Sequence, residues 1–275
     1  MSATFEGRVS LVTGASRGIG KTIATHLSDL GAAVAIVDRD VDRGDALARR
    51  LRADGRRAEF VPADLSKPAE ARRAVEDALS LLGRIDILVN NAASHGRLTS
   101  VLDMGLDEWN EVIGTNLTGT FFVSQAAARA MIPQGGGVII NLLAIQSQLP
   151  ISGYGPYCVS KGGLDALTRV LAVELAGTGI RVNGIVVGSV YSESVRAVLP
   201  PELAASDDLE VVPSVLDESA ATLVGRMGRP SDIARVVTFL ASDDAAYLTG
   251  TLLAADGGRQ LSRRPDPLIP RKDRR

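Results

Sequence analysis

The stretch TGASRGIG (13–20) decides how the rest of the chain reads. It follows a short apolar run, RVSLVT (8–13), and opens a helical pattern over 18–30 that puts Ile19, Ile23, Leu27 and Leu30 on one face. Gly14, Gly18 and Gly20 stand in G-x-x-x-G-x-G spacing. Glycine lets the backbone turn tightly and lets a pyrophosphate approach where a Cβ would clash. The helix start beyond it offers free N–H groups and a positive dipole end. Between a strand and a helix, such a loop reads as a phosphate cradle.

Working outward, apolar runs alternate with helical patterns to the end of the chain. Strands are predicted at 32–38, 58–64, 86–92, 136–143, 180–187 and 251–256, and helices at 41–53, 68–82, 107–132, 155–177 and 230–241. Strands this apolar are buried on both faces, as in a parallel sheet. The order predicts a doubly wound α/β/α sheet with right-handed crossovers. No composition break divides residues 1–258, which read as one dinucleotide-binding domain; the less regular, proline-bearing stretch 188–228 sits where a lid would. The segment 259–275 carries seven Lys/Arg, two Asp and three Pro, and reads as a basic solvated tail.

Asp38 ends the second strand, where a carboxylate faces the adenosine ribose, bonds both hydroxyls and repels a 2′-phosphate. This predicts NAD(H). Arg17 and Arg39 pull the other way, since guanidinium groups could hold that phosphate. Asp64, after the third strand, is placed to meet the adenine amino group.

Composition bounds the function. With 275 residues, 45% hydrophobic, 23% charged and net charge −2, the chain is large enough for its own core and has no global basic field for nucleic acid or an anionic membrane. No apolar stretch reaches a membrane span and no signal peptide is read at the start. One cysteine, Cys158, and two histidines, His26 and His95, argue against disulfides and a structural zinc and for a reducing cytoplasm.

TGASRGIG, the strand-end Asp38, NNAA (90–93), Asn116 in GTNLTG, YCVSK (157–161) and YLTGTLLAADGG (247–258) occur in an order that resembles the compact branch of the short-chain dehydrogenase/reductase family, over residues 5 to about 258. The resemblance implies a seven-stranded parallel Rossmann sheet and hydride transfer between a nicotinamide and an alcohol or carbonyl. It implies Tyr157 as acid/base, Lys161 behind it, and Asn116 positioning a water. It further implies cofactor contacts from Gly14, Ser16, Arg17, Gly18, Ile19, Gly20, Asp38, Asp64, Leu65, Asn91, Lys161, Gly188 and Ser192. Tyr157 and Lys161 at i, i+4 share a helix face, and the ammonium with an oxidised nicotinamide is expected to lower the phenol pKa.

One departure matters. The family has a serine thirteen residues before the tyrosine, and that position here is Ala144. Ser147, three residues on, is not promoted to replace it. An inactivating replacement and natural divergence both account for the alanine. Leu143, Ala93 and Val187 favour divergence, whereas the complete Asn116, Tyr157 and Lys161 set favours replacement. With one donor missing, slow turnover and intact cofactor binding are expected.

His95, Gln146, Gln148 and Tyr154 are candidate substrate contacts. Their amides and hydroxyl suggest a small polar alcohol or carbonyl such as a sugar, polyol or hydroxy-ketone. A non-catalytic dinucleotide-binding regulator and a lyase or epimerase on the same fold are the alternatives. The resemblance also implies a homo-oligomer, dimer or tetramer, through helices 107–132 and 155–177. There Ala126, Ala127, Ala130, Leu164, Leu167 and Leu171 form either the interface or the inner face.

Overall fold

The computed structural model describes residues 4–262, except Val198, Glu202, Ala205 and Ser219. In chain order the elements are β1 (Val9–Thr13), α1 (Gly18–Asp29), β2 (Ala33–Asp38), α2 (Val41–Ala53), β3 (Ala58–Pro62), α3 (Pro68–Leu82), β4 (Ile87–Asn90), α4 (Leu106–Ile113), α5 (Thr120–Met131), β5 (Gly137–Ala144), α6 (Gly155–Glu174), β6 (Ile180–Val187), α7 (Glu193–Arg196), α8 (Ser214–Glu218), α9 (Pro230–Ala241) and β7 (Leu252–Ala255). The strands form one seven-stranded sheet in the order β3-β2-β1-β4-β5-β6-β7, and every pairing is parallel. The chain winds outward from β1 in one direction, then returns to β4 and winds the other way. That reversal opens a crevice beyond the carboxyl ends of β1 and β4.

Alternation along the strands explains the two layers of helices. In β1, Val12 joins a core with Ile23 and Leu27 of α1, Leu47 and Leu51 of α2, and Val237 and Leu240 of α9. Its neighbour Leu11 joins the opposite core with Ala74 and Ala78 of α3, Val123 and Met131 of α5, and Leu171 of α6. Pro68 starts α3, where a missing N–H costs nothing, and Gly83 ends it at φ +85°. Ala127, Leu164 and Leu171, readable from sequence as either interface or inner face, are buried against the sheet, with Ala126 and Leu167 packed beside them. Phe121 of α5 and Val159, Val170 and Val173 of α6 are exposed large apolar residues.

The predicted helix 107–132 is not one α-helix. Between α4 and α5 the turn Gly114–Gly119 is π-helical. At its centre the fully buried Asn116 side chain is held by groups outside the helix, while its carbonyl accepts a 2.8 Å bond from Thr120 Oγ1. π turns of this kind concentrate at functional sites. The predicted strand 86–92 ends at Asn90, and the helix 155–177 ends at Glu174.

Residues 188–228 contain α7 and α8. The second half of this segment is fastened to the start of α9. Glu210 accepts bonds from Ser231 N–H (2.9 Å) and Ser231 Oγ (2.6 Å), and Asp217 accepts from Met227 N–H (2.9 Å) and Arg229 Nη2 (2.7 Å). No helix of the described residues is long and apolar enough to cross a membrane. Of the basic tail read at 259–275, residues 263–275 lie outside the described residues.

Candidate active site

The glycine loop is shaped by close approach. Gly14 and Gly18 hold φ +63° and +55°, and a Cβ built on Gly20 would lie 2.2 Å from the Gly14 carbonyl oxygen. Helix α1 therefore starts nearly on top of the β1 turn. The turn is braced from both sides: Gly14 N–H donates to Val37 O at 2.8 Å, and Asn91 Nδ2 donates to Thr13 O and Gly14 O, each at 2.9 Å. Asn91, expected at the cofactor, thus holds the loop from behind with its amide. The N-cap Arg17 provides no side-chain acceptor to the first turn, and the buried Ser16 Oγ has no partner among the described residues. A cradle that a Cβ would fill, an uncapped helix start and an orphan hydroxyl fit a pyrophosphate. Beside it, Arg17, Arg43, Glu193, Arg196 and Ala197 line a cavity of about 340 Å³.

Asp38 stands at the end of β2, next to this loop. Its carboxylate accepts Ser16 N–H at 3.0 Å and Asp40 N–H at 3.1 Å, so the loop and the carboxylate fix each other. Asp64 lies two residues past β3. Its Oδ1 accepts Ser66 N–H (3.1 Å) and Ser66 Oγ (2.8 Å). Burial works to raise the Asp64 pKa, but the Ser66 bonds and the charges of Lys67 and Arg39 hold the carboxyl below its ordinary range. Leu65 is buried, and its carbonyl lies where a Cβ on Gly119 would fall. At the far end of the crevice, Gly188 follows β6 against Asp256, and Ser192 Oγ caps α7 by accepting Val195 N–H at 3.4 Å.

Tyr157 and Lys161 lie one turn apart on α6, both buried, facing the carboxyl end of β5. Lys161 Nζ donates to Leu142 O at 2.8 Å and sits 5.6 Å from the Tyr157 ring centre. The sequence predicts a phenol lowered by this ammonium together with an oxidised nicotinamide. In the protein by itself, burial, then the neighbouring Cys158, raises the Tyr157 phenol well above its ordinary value. Burial also brings Lys161 down to about 8, so desolvation outweighs what the pair exchanges.

Asn116 joins three elements. Its Oδ1 accepts Ser94 N–H at 2.7 Å, and its Nδ2 donates to Ser94 O (2.9 Å) and Ser160 Oγ (3.0 Å). Ser160 Oγ in turn donates to Tyr157 O at 2.7 Å. Ala144 is the last residue of β5 and packs with Val112, Tyr157 and Tyr154. Ser147 Oγ donates back to Ala144 O at 3.0 Å.

A family model described as enoyl-(acyl carrier protein) reductase matches residues 14–260. The chain belongs to the short-chain dehydrogenase/reductase family. It is 32% identical to cyclohexanol dehydrogenase of Acinetobacter sp. (strain SE19), over 94% of this chain and 96% of that one. It is 35% identical to D-threitol dehydrogenase of Mycolicibacterium smegmatis, over 92% and 93%. Among solved structures, a 7α-hydroxysteroid dehydrogenase complexed with NADH and 7-oxo glycochenodeoxycholic acid superposes with a TM-score of 0.83 at 29% identity, covering 95% of this chain and 96% of that chain. The relatives are oxidoreductases, and the seven-stranded sheet is that of the family.

Within this short-chain dehydrogenase/reductase fold, the structure brings His95, Tyr154, Tyr157, Ala144 and Lys161 together. The His95 ring stacks on Tyr157, with centroids 4.6 Å apart and planes at 24°. Gln146 is half-buried on the loop after β5, and Gln148 is exposed beyond it. Sequence reasoning missed a buried polar chain under the site. Asn90 Nδ2 donates to Ser124 Oγ (2.9 Å) and Asn141 Oδ1 (2.8 Å), and Asn141 Nδ2 donates to Thr168 Oγ1 (2.9 Å). The signal was present as an asparagine inside each of two otherwise apolar strands. Arg43 and Arg196, on the phosphate-side cavity, carried no such signal. Their placement depends on how α2 and α7 pack.

Proposed function

We propose that the protein is an NAD(H)-dependent oxidoreductase that interconverts an alcohol and a carbonyl on a small polar molecule such as a sugar, polyol or hydroxy-ketone. The observation that carries this reading is the placement of Tyr157 and Lys161 in the same crevice as the glycine cradle and Asp38. In this reading Gly14, Ser16, Arg17, Gly18, Ile19 and Gly20 hold the pyrophosphate, and Asp38, Asp64 and Leu65 the adenosine. Lys161, Gly188 and Ser192 line the nicotinamide half, and Asn91 braces the glycine loop from behind. When bound, the nicotinamide supplies or takes up the hydride.

The residues of the chain manage the proton. With its pKa raised by burial, Tyr157 is a phenol at neutral pH and can donate its proton to an oxygen gaining negative charge. Lys161, buried and bonded to Leu142 O, places a positive charge behind that phenol. Ala144 presents a methyl group where the family resemblance implies a serine, so at this position β5 offers the oxygen no hydroxyl. Asp38 supports NAD(H), and so does a relative's complex with NADH. Gln146 and Tyr154, half-buried on the loop beside Ala144, support a hydroxylated substrate. A homodimer or homotetramer is consistent with the exposed Phe121, Val159, Val170 and Val173.

The test is nicotinamide absorbance with the purified chain, NAD+ or NADP+, and a panel of secondary alcohols that includes polyols, hydroxy-ketones and cyclohexanol. Turnover with NAD+ on a polyol or hydroxy-ketone is the expected result. Absence of turnover on the whole panel with both cofactors overturns the reading.

A further inference from the structure

On the reading just given, we infer that His95 is the second group that hydrogen-bonds the reacting substrate oxygen, on the side where Ala144 offers only a methyl. The imidazole lies face to face with Tyr157, centroids 4.6 Å apart and planes at 24°, which puts its ring nitrogens on the same side of the crevice as the phenol. Among the described residues, neither ring nitrogen of His95 has a hydrogen-bond partner, whereas the serine hydroxyls of Ser94, Ser147 and Ser160 are engaged and the Tyr154 hydroxyl is the competing candidate. Ser147 Oγ donates to Ala144 O, Ser160 Oγ to Tyr157 O, and Ser94 Oγ to Glu111.

The position of the ring is also built. Asn116 grips both backbone groups of Ser94, the residue before His95, at 2.7 and 2.9 Å. The same amide reaches Ser160, which holds the Tyr157 carbonyl. One buried side chain in the π turn therefore sets the distance between the two stacked rings. Asn116 is a positioning residue for both. Although His95 is exposed, its stacking on Tyr157 covers one face of the ring. That burial, with the charges of Lys161 and Arg17, holds its pKa below the ordinary value. At neutral pH the ring is neutral, with one N–H to donate.

In the carbonyl-reducing direction the substrate carbon is reduced by the nicotinamide's hydride and its oxygen takes the Tyr157 proton. His95 donates a hydrogen bond to that oxygen and keeps its own proton. The donor missing at Ala144 is thereby relocated from β5 to the loop after β4, and the slow turnover expected from the sequence does not arise.

The experiment uses the full chain and the best substrate from the alcohol panel. His95→Phe keeps a stacked ring and removes the N–H. It is expected to lower kcat by about 10²-fold, the usual effect of removing one such donor, while the NADH Kd and the melting temperature stay at native values. Ala144→Ser placed in the His95→Phe background is expected to recover at least about tenfold of that loss. If His95→Phe keeps native kcat, the inference is overturned and the proposed function stands. A loss of kcat that Ala144→Ser does not recover overturns it too, since the histidine would then act through packing alone. So does a comparable loss in Tyr154→Phe with none in His95→Phe. If the native chain turns over nothing on the panel while NADH binds, the oxidoreductase reading fails, and the role of His95 falls with it.

Discussion

Gly20→Ala is the most direct test of how the cofactor cradle is built. The new Cβ would sit 2.2 Å from Gly14 O, 2.4 Å from Asn91 Nδ2 and 2.9 Å from Gly14 C. Reaching ordinary contact requires a backbone shift of about 1 Å, a large displacement for a close-packed site. Gly14 cannot supply that shift cheaply, because its N–H is bonded to Val37 O and its carbonyl to Asn91, at 2.8 and 2.9 Å. Overpacking of this kind costs about 1–3 kcal/mol. The free chain relieves part of it by splaying α1 away from β1, but the bound form must restore the close approach. Most of the strain therefore appears in binding, as a loss of about 5- to 150-fold in NADH affinity. The remainder appears as a melting temperature lowered by less than about 8 °C. Gly162→Ala is the matched control, since a Cβ there meets nothing within 4 Å in the middle of α6. It should stabilise the chain by about 0.5–1 kcal/mol. Fluorescence titration with NADH and thermal melts of both variants decide the matter. Native NADH affinity in Gly20→Ala would refute the cradle argument.

Asp38→Ala should weaken NADH binding and narrow the preference over NADPH, measured as the ratio of the two Kd values; an unchanged ratio would show that another residue selects the cofactor. Thr168→Val removes the acceptor of Asn141 Nδ2 and should cost about 1–3 kcal/mol in denaturant unfolding, the penalty for a buried donor left unpaired. Lys161→Met should abolish turnover without lowering stability at pH 7. The folded Lys161 releases its proton near pH 8, against about 10.5 in the unfolded chain. Between those values the unfolded chain binds the extra proton, so this group makes stability rise with pH through that window. Below pH 8 its destabilising effect is fully present. Urea melts at pH 7 and 9.5 should show the native chain gaining on Lys161→Met; the opposite trend would mean that the ammonium is better solvated than its burial suggests.

Local chemistry decided most of the fold. The strand runs needed only their apolar character, and Pro68, Gly83 and Pro230 mark helix ends because their backbone constraints act on immediate neighbours. Tyr157 and Lys161 were readable together because helix periodicity alone puts i and i+4 on one face. The π turn was not readable, since GTNLTG continues a helical pattern and the partners of Asn116 within it, Ser94 and Ser160, are 22 and 44 residues away. The stack of His95 on Tyr157 depends on the same distant contacts. The burial that raises the Tyr157 phenol was not readable for a related reason. Spacing reveals a nearby charge, but burial is a property of the whole fold.

A π turn holds one residue more than the α turn it replaces. The run from Leu106 to Met131 can therefore be regarded as an ordinary amphipathic helix with a single-residue insertion at Gly114–Gly119. Without the widening, that extra residue would rotate α5 by about 100° relative to α4 and take Val123, Ala127 and Met131 off the sheet. With it, the insertion is absorbed within one turn. Deletion of one residue there would restore an uninterrupted helix, leave both flanking faces where they are, and swing Asn116 away from Ser94 and Ser160. Scaffold and chemistry are thus separable by a change of one codon: a lineage could gain or lose the Asn116 clamp in a single step while keeping the fold that carries it.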